Sequence, residues 1–440
     1  MQNRRLEILL VHPQNYLQRY STGIYRRNLR YAPLTMPTLK ALVPEELNAS
    51  VEVVDEMVRE VDFDKKPDLV GITAITGTAP RAYEIADRFR ANGTPVVLGG
   101  VHPTLLPEEA ARHADSVVIG YAERTWPKLL KDFLKNSLAP VYQDEAMPGT
   151  ELVVSPDRSS ILKRDYIGWC TAETSRGCPN ICDFCISHVF CKQYQCRPVG
   201  RVIDEIRQLK GKVIFFLDPN LTGDHDFAKE LFTEFAKLKK WWVGCASLDI
   251  VDDPELLEIM AGSGCKGLLM GFESTDNKAL IEANKIRNQG RDYADVVRIL
   301  HGEGILIQAC FVFGFDSDEP SVFDRTSEYI IKTGFDLPQI SIFTPFPGTP
   351  VFARMTREGR ILTRDWSRYN GQCVVFRPEN MTVEELESGV DGVRRECYSM
   401  RALARRMVTP PLLIKPLVAL AYFNFRRYQR AIDRVTRELS

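Results

Sequence analysis

Three cysteines, Cys178, Cys182 and Cys185, lie close together with the spacing C-x3-C-x2-C inside residues 175–196, SRGCPNICDFCISHVFCKQYQC. Iron–sulfur cubanes are held by cysteine thiolates, usually four of them. Three cysteines in one loop can therefore bind three irons and leave the fourth iron open to a cofactor or substrate. Phe184, directly before the last cysteine, is placed to cover one side of such a cluster.

The spacing alone leaves other interpretations open. A structural zinc site would pair a C-x2-C unit with further Cys or His ligands, which Cys191, Cys196 or His188 could supply. Cys191 and Cys196 could instead belong to an auxiliary cluster, or be buried thiols that pack as small hydrophobic side chains. We favour the cubane with one open iron, because five cysteines within so short a span rarely arise without a shared role.

Length and composition limit the class of protein. A chain of 440 residues suits two or three domains, and 44% hydrophobic with 26% charged residues is typical of a globular protein with a sizeable core. A net charge of −1 argues against general nucleic-acid binding, which needs a basic surface. The first apolar run is shorter than a signal-peptide core, and no run is long enough to span a bilayer. We therefore expect a cytoplasmic protein that keeps its eleven cysteines reduced.

The elements before the cysteines alternate between strand and helix patterns. Apolar strand runs separated by helices predict a doubly wound, Rossmann-like parallel sheet over residues 1–140. Ligands of such sheets bind beyond the carboxyl ends of the strands, where His12, Thr76, Gly99 and Gly100 lie. The strand candidates are RLEILLVHP, SVEVVDE, PDLVGITAI, TPVVLGGVHP and DSVVIGYAE.

A second βα series follows a linker predicted at residues 141–168. Six βα units over residues 169–370 are too few for a closed eight-stranded barrel and predict a partial (β/α)6 TIM-type barrel. Active sites of barrels lie at the carboxyl ends of the strands, and the cysteines follow the first strand directly. Residues 371–440 are predicted to form a small helical C-terminal region. The strand candidates are CTAETSR, KVIFFLD, WWVGCAS, CKGLLMGFE, ILIQACFVFGFD and PQISIFTPF.

The segment RGCPNICDFC resembles the C-x3-C-x-aromatic-C loop of the radical S-adenosylmethionine (SAM) superfamily. The order of the segments resembles the branch in which a cobalamin-binding-type domain precedes the barrel. The resemblance covers roughly residues 5–380. It implies that Cys178, Cys182 and Cys185 hold a [4Fe–4S] cluster whose fourth iron binds the amino and carboxylate groups of SAM. Reductive cleavage of SAM would then yield a 5′-deoxyadenosyl radical. The segments that carry the resemblance are VVLGGVHPTLLPEEA, FFLDPNL, MGFES, FVFGFD and TPFPGTP.

The resemblance also implies roles for residues at the other strand ends. Glu273 matches the position that binds the amino group or ribose of SAM, unless it is a salt-bridged surface carboxylate. Gln308 and the turn at residues 314–316 resemble the adenine side of the site. Asp218 and Asn220 could orient SAM or substrate, or could cap the next helix.

The first domain lacks the Asp-x-His-x-x-Gly motif that supplies a histidine ligand to cobalt in the best-known cobalamin modules. Gly99 and Gly100 match the Gly-Gly of those modules, where glycine lets a ligand approach the backbone closely. Thr76 only loosely resembles the accompanying serine. We expect cobalamin binding without a histidine ligand; His12 and His102, each followed by proline, shape loops instead. A domain that binds no cofactor and covers the barrel mouth is the alternative.

The final residues, PPLLIKPLVALAYFNFRRYQR, combine an apolar run with Arg426, Arg427 and Arg430. Lys415 and Pro416 interrupt the run. A basic amphipathic segment can lie at an anionic membrane surface, so peripheral membrane contact is one expectation. A helix packed on the barrel is the other.

These observations lead to three functional hypotheses. The first is a cobalamin-dependent radical SAM methyltransferase acting on an unactivated carbon of a small hydrophobic substrate, because the branch acts on hopanoids, lipids and tetrapyrroles. The second is a radical SAM enzyme without working cobalamin that carries out cyclisation, rearrangement or carbon–carbon coupling. The third is a redox sensor with a cluster or zinc and no turnover. Either enzyme would need a reduced flavodoxin or ferredoxin as electron donor.

Overall fold

The computed structural model describes residues 5–14, 31–144 and 147–408, together with residues 416, 418–420, 422, 423 and 426. The fold is α/β, as predicted, and the chain divides into two compact units. The first unit comprises Met1–Thr171, Val189–Pro198 and Asp365–Asn370. The second comprises Ala172–His188, Val199–Arg364 and Gly371–Ser440. Each unit therefore contains segments that are distant in sequence.

The first unit is built on a six-stranded parallel sheet with the strand order β2-β1-β3-β4-β5-β6. This is the doubly wound sheet that the sequence predicts. Its elements are β1 (Leu6–His12), α1 (Thr35–Ala41), β2 (Ala49–Asp55), β3 (Leu69–Thr73), α2 (Ala79–Ala91), β4 (Val96–Gly99), α3 (Val101–Leu105), α4 (Pro107–Ala110), β5 (Ser116–Ile119), α5 (Thr125–Leu134) and β6 (Val141–Gln143).

Two details of this unit differ from the sequence prediction. The strand expected to run through His102 ends at Gly99, because Gly100 has a φ of +96° and turns the chain into α3. The sixth strand, β6, lies inside the segment predicted as a linker. It has only three residues, of which just Tyr142 is buried, so its sequence carries no strand pattern of useful length.

The second unit contains the six-stranded sheet with the order β14-β13-β12-β11-β10-β7, and the pairs from β10 to β14 are parallel. Helices follow the strands, as the partial barrel requires. The remaining elements are β7 (Thr171–Ala172), β8 (Ser175–Arg176), α6 (Ile186–Cys191), β9 (Gln195–Cys196), α7 (Val199–Gln208), β10 (Val213–Phe216), α8 (His225–Ala236), β11 (Trp241–Cys245), α9 (Pro254–Gly262), β12 (Cys265–Glu273), α10 (Asn277–Glu282), α11 (Tyr293–Gly302), β13 (Leu306–Phe313), α12 (Val322–Thr333), β14 (Leu337–Ile342), α13 (Pro350–Arg357), α14 (Val383–Cys397) and α15 (Met400–Val408).

The strands of this sheet have two unequal faces. On β13 the residues Ile307, Ala309 and Phe311 are fully buried, whereas the alternate residues Gln308 and Cys310 are only half-buried. Because side chains alternate along a strand, the buried set packs under the helices and the other set faces the concave side. That concave side is the interior of the partial barrel, where a ligand would bind.

The C-terminal region is helical through α14 and α15, as expected. Most of the basic amphipathic tail lies outside the described residues, so its membrane contact stays a prediction. Within the part of the chain that the structure describes, no helix is both long enough and apolar enough to cross a bilayer. The boundaries predicted at residues 140, 168 and 370 also stay predictions, since the two compact units are not continuous in sequence.

Candidate active site

The cysteine loop, residues 177–186, lines a cavity of about 460 Å³ in the second unit. Cys178, Cys182 and Cys185 all contribute to its wall, and none of them forms a disulfide. The opposite wall comes from the carboxyl ends of β10 to β13, including Cys245 and Glu273. The three cysteines therefore lie at the carboxyl ends of the barrel strands, as the sequence predicts.

Asp218 fixes the chain where it enters the cysteine loop. This carboxylate follows β10 and is 1% exposed. Its Oδ1 accepts hydrogen bonds from the hydroxyls of Thr174 and Ser175 at 2.7 and 2.8 Å, and from both of their backbone amides. Burial raises the pKa of Asp218 to about 6. The sequence suggested that Asp218 either caps a helix or orients a ligand. The hydrogen bonds to Thr174 and Ser175 give it a different role, because they hold the start of the cysteine loop in place.

Titration of Asp218 should make the free energy of unfolding of the second unit depend on pH. Because burial raises the carboxyl pKa from 3.8 to about 6, the folded state retains a proton that the unfolded state releases, and stability falls as pH rises through this window. Asp218→Asn should remove this pH-dependent contribution. Asp218→Ala should remove it too and should in addition lower the free energy of unfolding by about 3 kcal/mol relative to Asp218→Asn, because four donors lose their acceptor. Denaturant melts at pH 4.5 and pH 7 measure both effects. Asp64→Asn, on an exposed loop, is the control; an equal pH response in Asp218→Asn and the parent would contradict the assignment.

A polar network lies beside the first cysteine. The Asn220 amide nitrogen donates to the Ser247 hydroxyl at 2.7 Å and lies 3.8 Å from the Cys178 sulfur. Asn180 in the cysteine loop donates to the same hydroxyl at 3.2 Å. Hydrogen bonds to cluster sulfurs tune reduction potential, so Asn220 would tune a cluster that Cys178 held.

Cys182 lies in the most buried part of the loop, at 7% exposure. Burial raises the pKa of its thiol to about 11, and the nearby ammonium of Lys285 opposes that shift. Cysteine binds metal as the thiolate, so Cys182 would hold an iron in its deprotonated form, which the charge of Lys285 would favour.

Glu273 lies at the end of β12 in a conformation that is uncommon for a residue with a side chain. Its φ is +63°, and its Oε1 accepts a hydrogen bond from Lys285 Nζ at 2.8 Å. The side chain folds back over Gly271, where an added Cβ would lie 2.2 Å from that oxygen. Glu273 is 7% exposed, so it is salt-bridged but is not the surface carboxylate considered from the sequence. Burial alone would lower the pKa of Lys285, but Glu273 and the cysteines raise it.

Replacing Glu273 should weaken SAM binding. A Glu273→Gln variant keeps the shape of the side chain but loses the charge that can pair with the SAM amino group. We expect a KM for SAM about 10- to 100-fold higher, the range for losing one charged hydrogen bond. The measurement is the rate of 5′-deoxyadenosine formation as a function of SAM concentration. Glu303→Gln, on an exposed helix end, should leave it unchanged; an unchanged KM for Glu273→Gln would contradict the role.

The other residues of the barrel that were predicted to bind SAM are Phe184, Gln308 and the turn at residues 314–316. Phe184 lines the cavity and packs edge-on against Phe343, with ring centroids 6.0 Å apart. Gln308 lies two residues before the cavity-lining Cys310 on β13 and donates to Gln339 Oε1 at 2.8 Å. In the turn at residues 314–316, the amides of the first two residues donate to the Asp318 carboxylate. The roles of Phe184 and Gln308 in SAM binding stay predictions.

The residues present fit a [4Fe–4S] cluster. Three thiols on one loop line one cavity, with Lys285 to balance negative charge and Asn220 to hydrogen-bond a sulfur. Among the residues that the structure describes, no three His, Cys, Asp or Glu side chains are arranged to bind a single metal ion. Cys191 and Cys196 group with the first unit, where the Tyr121 hydroxyl donates to the Cys191 sulfur at 3.1 Å.

At the edge of the first sheet, the β4 loop packs tightly on the β3 loop. A Cβ on Gly100 would lie 2.5 Å from Thr73 Oγ1 and 2.9 Å from the Ala74 carbonyl oxygen, whereas one on Gly99 would make only ordinary contacts. Ile75 is 56% exposed beside them. This edge presents backbone and an apolar side chain, as a large, mostly apolar ligand requires.

Thr76 and His102 are both buried inside the first unit. Thr76 is 1% exposed, and its hydroxyl is 3.4 Å from His102 Nδ1. His102 Nε2 is 3.2 Å from Glu109 Oε1, which also accepts hydrogen bonds from Tyr83 and Trp366. Burial lowers the pKa of His102. The loop-shaping role expected for His102 agrees with these contacts, while a direct contact of Thr76 with cobalamin stays a prediction.

Comparison with known proteins identifies a family for a segment of each unit. Residues 39–130 match the B12 binding domain, and residues 172–319 match the radical SAM superfamily. The chain is 34% identical over 384 residues to bacteriochlorophyllide d C-12(1)-methyltransferase of Chlorobaculum tepidum, covering 85% of this chain and 82% of the relative. The chain belongs to the cobalamin-dependent radical SAM methyltransferases.

Two further comparisons agree with that family. This methyltransferase is 29% identical over 412 residues to bacteriochlorophyllide d C-8(2)-methyltransferase of C. tepidum, covering 88% of this chain and 90% of the relative. Its fold is similar to that of the radical SAM methyltransferase TsrM from Kitasatospora setae, solved with cobalamin and a [4Fe–4S] cluster. That match has a TM-score of 0.65 and 16% identity, and covers 90% of this chain and 82% of TsrM.

The family membership confirms several predictions. The protein is a radical SAM enzyme whose cofactors are a [4Fe–4S] cluster, SAM and cobalamin. The hypothesis of a sensor without turnover and that of a barrel without cobalamin both lose support. Lys285, Ser247 and Trp366 were not anticipated. Each contacts a predicted residue, but sequence separations of 12 to 264 residues leave no local signal.

Proposed function

We propose that this protein methylates an unactivated side-chain carbon of a bacteriochlorophyllide-type tetrapyrrole. The observation that carries the proposal is the 34% identity to bacteriochlorophyllide d C-12(1)-methyltransferase over 85% of this chain. The two relatives are named for methylation of different carbons of one pigment. They therefore support the choice of the ring system as substrate more strongly than they support the choice of a particular carbon.

The residues of the second unit have distinct parts in this function. When bound, the cluster and cobalamin supply the electron that cleaves SAM and the methyl group that is transferred. Cys178, Cys182 and Cys185 hold the cluster, and Asp218 keeps their loop in place through Thr174 and Ser175. Glu273, oriented by Lys285, offers a carboxylate to the SAM amino group. Gly100 and its neighbours in the first unit offer backbone to the cobalamin.

The electron donor that we propose is a reduced flavodoxin or ferredoxin. The supporting reason is chemical: reductive SAM cleavage consumes one electron, which a one-electron carrier protein of this kind can supply. We further propose a cytoplasmic location with peripheral membrane contact through the tail, which would bring a hydrophobic pigment within reach.

Transfer of a labelled methyl group tests the substrate. Anaerobically reconstituted protein is given SAM with a trideuterated methyl group, dithionite, cobalamin and, separately, bacteriochlorophyllide d, a magnesium porphyrin or a hopanoid. We expect a trideuteromethyl product only from the bacteriochlorophyllide. Labelling of the hopanoid instead, or 5′-deoxyadenosine formation with an unmethylated rearranged pigment, would contradict the proposal.

A further inference from the structure

Two adjacent tryptophans at the start of β11 have opposite environments. Trp242 is fully buried, stacks on Phe232 with ring centroids 4.1 Å apart, and donates its indole N–H to the Ser263 hydroxyl at 2.8 Å. Trp241 is 46% exposed, and no residue that the structure describes accepts a hydrogen bond from its indole N–H. Such an indole is typical of a membrane–water interface, where the ring contacts acyl chains and the N–H contacts headgroups or water.

Lysines surround Trp241. Lys212 Nζ lies 5.8 Å and Lys266 Nζ lies 5.9 Å from the centroid of its ring. Because β10, β11 and β12 are neighbours in one parallel sheet, the segments at their amino ends lie side by side. Residues 209–212, 237–240 and 263–266 contain no acidic residue and carry six lysines, Lys210, Lys212, Lys237, Lys239, Lys240 and Lys266. We name these six lysines the lysine face.

Backbone oxygens hold two lysines of the face in place. Lys212 Nζ donates to the Lys239 carbonyl oxygen at 2.6 Å, and Lys240 Nζ donates to the carbonyl oxygens of residues 209 and 211 at 2.6 and 2.7 Å. A carbonyl oxygen carries no net charge, so these contacts join the segments and leave each ammonium its charge. The lysine face is therefore one connected surface.

Ion pairs neutralise little of the charge of the lysine face. Within the described part of the chain, Lys237 alone among the six lysines pairs with a carboxylate, that of Glu234 at 2.5 Å. Among the exposed charged residues near the ends of the adjoining helices, Arg207 and Asp204 pair with each other, and Glu258 on α9 adds one negative charge. Five lysines without an ion pair and one carboxylate leave a net charge of +4 around Trp241.

The positive charge is confined to one side of this end of the barrel. The connections that precede β13 and β14, residues 303–305 and 334–336, contain Glu303 and Asp336 and no lysine or arginine. Cations near a helix C-terminus stabilise the helix dipole, yet α11 ends here without a lysine or arginine in its last turn. Helix stability alone therefore does not account for six lysines around β10 to β12.

We propose that the lysine face and Trp241 form a docking surface for a membrane that contains anionic phospholipids. Clustered lysines and tryptophan are typical of such contacts, whereas lysine is depleted from protein–protein interfaces. The face lies at the amino ends of the strands, so a membrane there contacts none of the residues that line the cluster cavity. The inference goes beyond the proposed function and does not depend on which substrate is methylated.

Vesicle flotation of the full-length holoenzyme tests the charge of the face. Vesicles of phosphatidylcholine are compared with vesicles that also contain phosphatidylglycerol, at low and at high salt. We expect binding to the anionic vesicles only, and weaker binding as salt rises. Lys210→Glu/Lys239→Glu/Lys266→Glu should lower the affinity for anionic vesicles at least tenfold, because each lysine near such a surface contributes about fivefold. The dithionite-driven rate of 5′-deoxyadenosine formation in solution should not change.

Fluorescence quenching tests the contact of Trp241. Anionic vesicles with brominated acyl chains quench an indole that reaches the acyl region. We expect the unmodified protein to lose part of its tryptophan emission on these vesicles. In Trp241→Phe that loss should disappear, because the buried Trp242 does not reach the lipid.

Two control variants carry matched charge changes elsewhere. Lys278→Glu/Lys332→Glu/Arg357→Glu reverses three exposed charges on α10, α12 and α13 and should bind anionic vesicles as the unmodified protein does. Arg426→Glu/Arg427→Glu/Arg430→Glu reverses three charges of the C-terminal tail and measures its separate contribution.

The other outcomes overturn the inference. Full vesicle affinity in the lysine-face variant excludes docking there, and an equal loss in the control on α10, α12 and α13 shows a general charge effect. Loss of all binding in the tail variant, with none in the lysine-face variant, assigns the membrane contact to the tail. If duplex RNA binds the lysine face and anionic vesicles do not, the surface is a nucleic-acid site. In each of these cases the proposed function stands, because methyl transfer to the pigment is measured without vesicles.

Discussion

A Cys182→Ala variant should purify without its cluster and form no 5′-deoxyadenosine from SAM. Cys182 is the most buried of the three loop cysteines. In the proposed cluster Cys178 and Cys185 would each hold another iron, so no thiol of the cysteine loop would be left to replace Cys182. We expect a cube left with two protein ligands to be lost during purification. Iron content should therefore drop from about four per chain to near zero, and the brown absorbance should be lost with it.

The control for this variant is another buried cysteine of the same unit. Cys265 begins β12, is 1% exposed and does not line the cavity. Cys265→Ala should keep iron, absorbance and SAM cleavage. If Cys182→Ala retained about four irons, or if it cleaved SAM at the rate of Cys265→Ala, the assignment of the cluster ligands would be wrong.

The second large effect concerns cobalamin alone. A Gly100→Val variant should lose corrinoid while keeping its iron and its SAM cleavage. Gly100 has a φ of +96°, and its added Cβ would lie 2.5 Å from Thr73 Oγ1 and 2.9 Å from the Ala74 carbonyl oxygen. The β3 and β4 loops must then separate at the edge where we propose that the corrinoid binds. We expect at least a tenfold fall in corrinoid per chain after reconstitution and desalting, and no methyl transfer.

A Gly93→Val variant distinguishes the effect of the steric clash at Gly100 from the effect of backbone strain. Gly93 follows α2 in the same unit and has a φ of +80°, but nothing lies within 4 Å of an added Cβ. A side chain there meets the same left-handed strain without moving the cofactor edge. Normal corrinoid content in Gly100→Val, or an equal loss in Gly93→Val, would show that the Gly99–Gly100 edge does not hold cobalamin.

Much of the fold follows from local patterns in the sequence. β1 is predicted because LEILLVH contains the apolar run ILLV, and the structure buries Leu10 and Val11 completely. β6 was missed because a three-residue edge strand with one buried side chain has no such pattern. The cysteine ligands were predictable because all three lie within eight residues of one another in a characteristic spacing.

The supporting contacts of the site could not be predicted in the same way. Asp218 meets Thr174 and Ser175 only because two neighbouring strand ends are brought together by the sheet. Lys285 reaches Glu273 only because the chain turns back after α10, and the left-handed φ of Glu273 directs the carboxylate toward it. Such contacts depend on the tertiary path of the chain, which spacing and periodicity do not encode.

The short segment Asp365–Asn370 groups with the first unit, although the residues on both sides of it belong to the second. Within the first unit its Trp366 donates to Glu109 and packs edge-on against His102. If the two units were separated by a single cut in the sequence, the indole of Trp366 would lose its acceptor, Glu109. Exchanging the first unit with that of a relative would therefore succeed only if these six residues were exchanged with it, because the two units are interleaved in sequence.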